Sequence, residues 1–252
     1  MVTVRDVIDL GIFEDIWLAA PCEGYLDRPV ISAGILDAEP FFGDYDSFLP
    51  GEFIFTSLGF AQRDPELADE AVKAMIGRDL AALVIRPVAL ESISDEAAAL
   101  SAERGVPVLF YRGHYVERLM AAVLALVAED QAQAERDQRI DALIAPRDEA
   151  QVRADLFEIT RATGSTVQCL AARPLTPDGC SLAALQAELG TLLYDFQREQ
   201  PSIVGTCVVR HHDHLLAFAS FDRPPAGAVA ASEQALIQRV RTAGRTSPPA
   251  CA

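Results

Sequence analysis

The spacing of apolar and polar positions divides the chain into an α/β half and a half with a different order of elements. In residues 3–10, TVRDVIDL, Val4, Val7 and Ile8 recur at helical spacing behind Thr3, a residue type that caps helix N-termini, so a short helix is expected. FEDIWLAA reads as a strand ending at the turn signals Pro21 and Gly24. Two β-rich runs follow, at 30–36 and at EFIFT, 52–56, the second directly after LPG. Residues 65–77, PELADEAVKAMIG, start with Pro65, carry acids in the first turn and finish at Gly77, as a capped helix with a favourable dipole would. LAALVIRPV is a nearly continuous apolar strand, SDEAAALSAER at 94–104 a helix stopped by Gly105, and VPVLFYRGH another continuous strand. Strands without polar alternation are covered on both faces, which predicts a mostly parallel α/β sheet for residues 1–115.

From 116 to 146 the pattern becomes helical. Val116, Leu119, Met120, Val123, Leu124 and Val127 share one face, so two such helices can pair as a coiled coil. The stretch 130–139 is almost wholly polar, as in a connector whose two ends pack, and Pro146 ends it. Beyond it the pattern predicts a helix at 148–162, a strand at 166–172, a helix at 181–199 capped by Ser181, strands at 202–209 and 214–221, and a helix at 229–243. Residues 147–244 in the order βαββα form a partial α+β layer, palm-like or ferredoxin-like, one strand short. The tail 245–252 is expected to be disordered.

Composition narrows the function classes. Half of the 252 residues are apolar, enough for two modest cores. No run approaches the ~20 apolar residues of a membrane-spanning helix, and MVTVRDVIDL places charge where a signal peptide has its apolar segment. A cytoplasmic protein with no membrane partner is expected, and five cysteines without a CxxC pair suit reduced thiols there. The net charge of −16 is concentrated in residues 1–113, where 20 acidic side chains face 8 basic ones. Such a surface repels phosphate backbones, which excludes direct contact with nucleic acid by this chain. Lys73 is the only lysine, so the other cations are arginines able to make planar two-point contacts with carboxylates or phosphates.

The motifs TVRDVIDL, EGYLDRPV, LPGEFIFTSLGF, AALVIRP and GVPVLFY, in that order, resemble the N-terminal domain of the purine-catabolism-regulator (PucR-type) family of bacterial transcription regulators. The resemblance implies a sensor domain at 1–115, a helical linker at 116–146 and a partial, degenerate GGDEF-like palm at 147–244. The family's helix-turn-helix has no counterpart in this sequence, so its DNA-reading residues fall on no position. LDRPV and its setting are also similar to the N-terminal domains of HPr kinase and of the Mur ligases, small α/β units outside the catalytic core. No GxxxxGK[ST] loop follows, so ATP chemistry is not expected. Where working cyclases carry their signature hairpin this chain has VVRHHDHLLAF, without the glycines that admit a nucleotide or the carboxylates that hold its metal.

In a parallel sheet, ligands sit outside the carboxyl ends of the strands. Those ends carry Asp37, Thr56, Ser57, Arg86, Arg112 and His114, an inventory for a small polar or anionic effector such as a purine-catabolism or amino-acid-related metabolite. The competing account pairs Arg86 and Arg112 with Asp37 or Glu52 at a solvated rim. Phe41, Phe42, Tyr45 and Phe48 form an acidic aromatic loop suited to covering that crevice or meeting a partner, and Asp27 with Arg28 reads as a turn-fixing pair. At the RHHDH turn, His211, His212, Asp213 and His214 offer ligands for Zn, Ni or Cu. Strand alternation throws neighbours to opposite faces, however, so a solvated turn is the expected state. Without a GxSxG elbow, an HExxH helix or a Cys near a His, no enzyme and no cofactor is expected.

The function that the resemblance implies is the ligand-sensing and dimerising portion of a PucR-type regulator, signalling through its helical linker to a DNA-binding domain absent from this chain. The face of 116–127 and an open sheet edge make a homodimer the expected assembly. The alternatives are a small-molecule enzyme built on the strand-end Arg, Ser and His residues, and a stand-alone interaction protein that pairs with full-length regulators.

Overall fold

Thr3 opens the first helix by a reciprocal cap. Its hydroxyl accepts from the Asp6 N–H at 3.3 Å while the Asp6 carboxylate accepts from the Thr3 N–H at 2.8 Å. The structure, a computed structural model, describes residues 1–21, 23–113, 115–144, 148–161, 164–173, 182–222, 227, 230–231 and 234–238. They form two units, divided between Ala132 and Gln133.

The first unit runs α1 (Val4–Asp9), β1 (Asp15–Leu18), β2 (Ser32–Ile35), β3 (Glu52–Thr56), α2 (Pro65–Gly77), β4 (Ala82–Ile85), α3 (Asp95–Arg104), β5 (Val108–Arg112) and the first half of α4 (Val116–Ile144). The sheet order is β1-β5-β4-β3-β2, with β2 to β5 parallel and β1 antiparallel to β5. The expected mixed α/β unit with a mostly parallel sheet is therefore present. One face packs Ile54, Leu83, Ile85, Val108 and Phe110 against α2 and α3. The other packs Phe53, Phe55, Val84, Leu109 and Tyr111 against α1 and α4. Period-two alternation sorts these residues, since neighbours along each strand go to opposite layers.

Local signals set the helix limits. Asp64 caps α2 by accepting from the Leu67 N–H at 3.1 Å, and Pro65 follows at the first helical position, where its missing N–H costs nothing. Gly77 is the last helical residue and Arg78 the C-cap, one position later than expected. Ser94 caps α3, and Gly105 ends it at φ 65°, a left-handed conformation that glycine reaches without a Cβ penalty.

The apolar face of 116–127 is already spent inside the unit. Leu119, Val123 and Val127 are buried against Phe53, Phe55, Leu109 and Tyr111. Full burial of such side chains stabilises by roughly 1.5–3 kcal/mol each. The expectation that this face pairs two copies as a coiled coil is thus corrected: the sheet of the same chain covers it.

The second unit contains the end of α4, then α5 (Glu149–Thr160), β6 (Thr166–Ala172), α6 (Leu182–Glu199), β7 (Ile203–His211) and β8 (His214–Phe221). Its sheet order is β6-β8-β7, with both outer strands antiparallel to β8. β6 and β7 are therefore parallel to each other, linked by α6 with β8 inserted between them, a split βαβ unit. Leu189, Leu193 and Phe196 of α6 pack on Ile203, Leu215, Ala217, Ala219 and Phe221. On the opposite face Ile140 of α4 is buried with Val209 and Phe218. Of the helix expected at 229–243, residues 230–231 and 234–238 are helical. Pro146, Ser181 and the tail 245–252 lie outside the described residues.

Candidate functional site

Among the described strand-end residues, Arg86 and Arg112 do not share a crevice. Thr56 is 3% exposed, and its hydroxyl accepts from the Leu58 N–H at 3.0 Å, fixing the turn in which Leu58 adopts a φ of 50°. Its carbonyl accepts from the Arg86 N–H at 2.8 Å. Asp37 and Ser57 are exposed, and the Asp37 backbone N–H is held by the Glu39 carboxylate at 2.8 Å.

Arg86 and Arg112 lie on opposite faces of the sheet. In β5, Phe110 packs toward α2 and α3 while Tyr111 packs toward α4, so Arg112 returns to the α2 and α3 side. There its guanidinium lies 5.3 Å from the Trp17 ring centroid, a cation–π contact. Ile85, the last residue of β4, packs toward α2 and α3, so alternation turns the next residue, Arg86, to the α4 side, where its charge reaches Tyr111. Burial raises the Tyr111 phenol pKa, the Arg86 charge opposes that rise, and Glu117 in the first turn of α4 adds to it. Among the described residues no ion pair joins either arginine to Asp37 or Glu52; the Glu52 carboxylate accepts instead from the Leu49 N–H at 2.9 Å. His114 lies outside the described residues.

The acidic aromatic loop is half core and half surface. Phe48 is buried and Tyr45 packs beside it, while Phe41 and Phe42 are exposed, Phe41 edge-on to Phe60. Arg78 pins the loop, with Nη1 2.9 Å from the Asp46 carboxylate and Nε donating to the Phe48 carbonyl at 3.2 Å. Asp27 and Arg28 do not pair with each other, a correction to the expected turn-fixing pair. Arg28 Nη2 bonds the Asp79 carboxylate and its Nε donates to the Leu80 carbonyl at 3.1 Å, ahead of β4, while Asp27 holds Arg5 of α1 at 2.9 Å. A cleft of about 370 Å³ opens between α1 and β1, lined by Ile8, Ile16, Leu18, Leu26 and that paired Arg5, away from the strand carboxyl ends.

The second unit holds a cluster that strand alternation argued against. β7 ends at His211, which pairs with His214 across a two-residue turn of His212 and Asp213. His212 adopts a φ of 52°. Histidine is among the few non-glycine residues enriched in this region, and the reversal breaks the alternation, leaving the His211 and His212 rings 4.3 Å apart, centroid to centroid.

Asp141 of α4 meets both rings, 2.9 Å from His211 Nε2 and 3.5 Å from His212 Nε2. Asp137, one turn earlier, lies 3.8 Å from His212 Nδ1, and its other carboxylate oxygen accepts from Gln133 Nε2 at 2.8 Å. The Gln133 amide also donates to the Arg210 carbonyl at 2.9 Å. Gln133, Asp137, Ile140 and Asp141 share one helical face, anchored by the buried Ile140. The signal in the sequence was an Asp pair at i, i+4 combined with adjacent histidines about 70 residues later. Only the packing of α4 on β7 joins them.

No family model matches the chain, and no curated protein matches it. A solved structure of acetylornithine aminotransferase from Elizabethkingia anophelis aligns at 11% identity over 96% of this chain and 73% of that one, with a TM-score of 0.19. A likeness that slight carries no argument about fold or activity.

Proposed function

We propose that the chain is the ligand-sensing and dimerising portion of a PucR-type transcription regulator, working in the cytoplasm and not itself an enzyme. The observation that carries this reading is α4: one uninterrupted helix, Val116–Ile144, buries Leu119, Val123 and Val127 in the core of the first unit and Ile140 in that of the second. A single element with side chains in both cores is what a relay requires, provided the effector binds two states of it unequally. A coupling of ~1–3 kcal/mol is sufficient.

Arg86 is the strand-end group best placed to start that relay. It lies on the α4 face, close enough to Tyr111 for its charge to act there alongside Glu117 of the first turn of α4. An anionic metabolite held by Arg86 would change the electrostatics of that turn directly. Arg112 acts on the opposite face and is the weaker candidate.

The split βαβ order of the second unit supports the degenerate GGDEF-like palm of this reading, in which one further strand would complete the layer. That strand would pair with β6, whose outer side no described strand covers. Dimerisation is therefore assigned to that edge. The output passes to a DNA-reading domain outside these 252 residues.

Thermal melting of the chain against a panel of purine-catabolism and amino-acid-related metabolites tests the proposal. A saturable rise in Tm that is lost in Arg86→Gln and largely kept in Arg112→Gln supports it. No stabilising compound, or an equal rise in both variants and the unaltered chain, overturns it, and turnover of the bound compound would favour the enzymatic alternative.

A further inference from the structure

We propose that Asp141, His211 and His212 form a binding site for a divalent transition metal, with Asp137 as the group that orients His212. This is independent of the sensor reading and rests on the second unit alone. One ligand atom from each of the three residues falls within 4.8 Å of the others. In a tetrahedral site with bonds of about 2.0–2.1 Å, ligand atoms stand about 3.3–3.4 Å apart. His211 Nε2 lies 2.9 Å from Asp141 Oδ1 and His212 Nε2 3.5 Å from Asp141 Oδ2, so each ring stands near that spacing from one oxygen of the same carboxylate, and a cation entering between them replaces these direct contacts by small ring and carboxylate movements.

The ligand chemistry selects the class of ion. Two imidazoles and one carboxylate suit Zn²⁺, Ni²⁺ or Cu²⁺. Calcium wants six to eight oxygens and magnesium an octahedron of oxygens and water, and neither is offered. If Nε2 of each histidine faces the metal, Nδ1 of His212 is turned to Asp137. At 3.8 Å that carboxylate is outside hydrogen-bond distance, and closing onto Nδ1 as metal binds would give the arrangement that fixes ring orientation and raises ligand basicity. Gln133 holds Asp137 in place and is tied to the Arg210 carbonyl, so both the helix and the hairpin are braced before metal arrives. A fourth position is left to water or an exchangeable ligand. The remaining groups of the turn are engaged elsewhere: Asp213 pairs with Arg173 at 2.9 Å and with His214. They are not part of the site.

Calorimetric titration of the 252-residue chain with Zn²⁺ and with Ni²⁺, and with Mg²⁺ for comparison, decides the matter. The expected result is one Zn²⁺ or Ni²⁺ per chain and no comparable Mg²⁺ binding. Binding is expected to vanish in His212→Gln and Asp141→Asn, to weaken about 10–100-fold in Asp137→Asn, and to persist in His214→Gln. His212 and Asp141 are each more than half exposed at the side chain, so these variants should keep the native circular dichroism spectrum, which is recorded for each. An unaltered chain that binds neither ion would overturn the proposal. Undiminished binding in folded His212→Gln and Asp141→Asn would do the same, by placing the metal elsewhere, for example on cysteines.

Discussion

His212 shows how one backbone angle redirects a sequence argument. Alternation assigns neighbouring strand residues to opposite faces, and that rule sorted Phe53 from Ile54 and Phe110 from Tyr111 correctly. It also separates Arg86 from Arg112, although both were read as one site because each ends a strand. At His212 the φ of 52° cancels the rule, and although histidine is enriched in that region, the enrichment does not say which of three histidines in RHHDH adopts it. Thr56 was legible as a strand-end hydroxyl but not as a turn-fixing one, because its partner, the Leu58 N–H, depends on the turn it makes. A residue-level prediction follows for Cys207, whose thiol burial pushes up from 9.0 to about 11, with Cys169 adding to the rise. The unfolded chain releases this proton first, so stability present below pH 9 is lost as pH climbs toward about 11. Urea midpoints measured at pH 8 and pH 10 should fall more steeply in the unaltered protein than in Cys207→Ala, and parallel declines would refute this.

At the scale of elements, caps and continuous apolar strands made most of the first unit readable. Asp64 with Pro65, Ser94 and Gly105 bound α2 and α3 within a residue of expectation. The direction of β1 was not readable, since an apolar strand carries no mark of whether it runs parallel or antiparallel to β5. Nor was the partner of the α4 stripe: an apolar helical face records that something covers it, not what. Its partner being the sheet of the same chain, Leu119→Ala should cost about 2–5 kcal/mol of folding stability. Leu119→Asp and Val123→Asp should unfold the first unit outright. Denaturant melts at two protein concentrations check this: a loss independent of concentration is expected, whereas a loss seen only on dilution would restore the coiled-coil reading. Thr3→Ala, which removes the reciprocal cap of α1, should cost about 0.5–2 kcal/mol in the same assay.

For the whole molecule, charge and topology set what it can meet. A net charge of −16 works against approach to the phosphate backbone of a duplex. A band-shift assay at moderate salt should detect no sequence-specific DNA complex of this chain, and a specific complex would contradict the division of labour proposed. Among the described residues no helix is long and apolar enough to cross a membrane. In the proposed relay, occupancy near Arg86 reaches the far end of α4. Hydrogen exchange over residues 116–144, with and without the metabolite that most raises Tm, tests it most directly. Binding is expected to change amide protection along the whole helix, including the turns around Ile140. Protection that changes at the strand ends and leaves residues 133–144 untouched would contradict it.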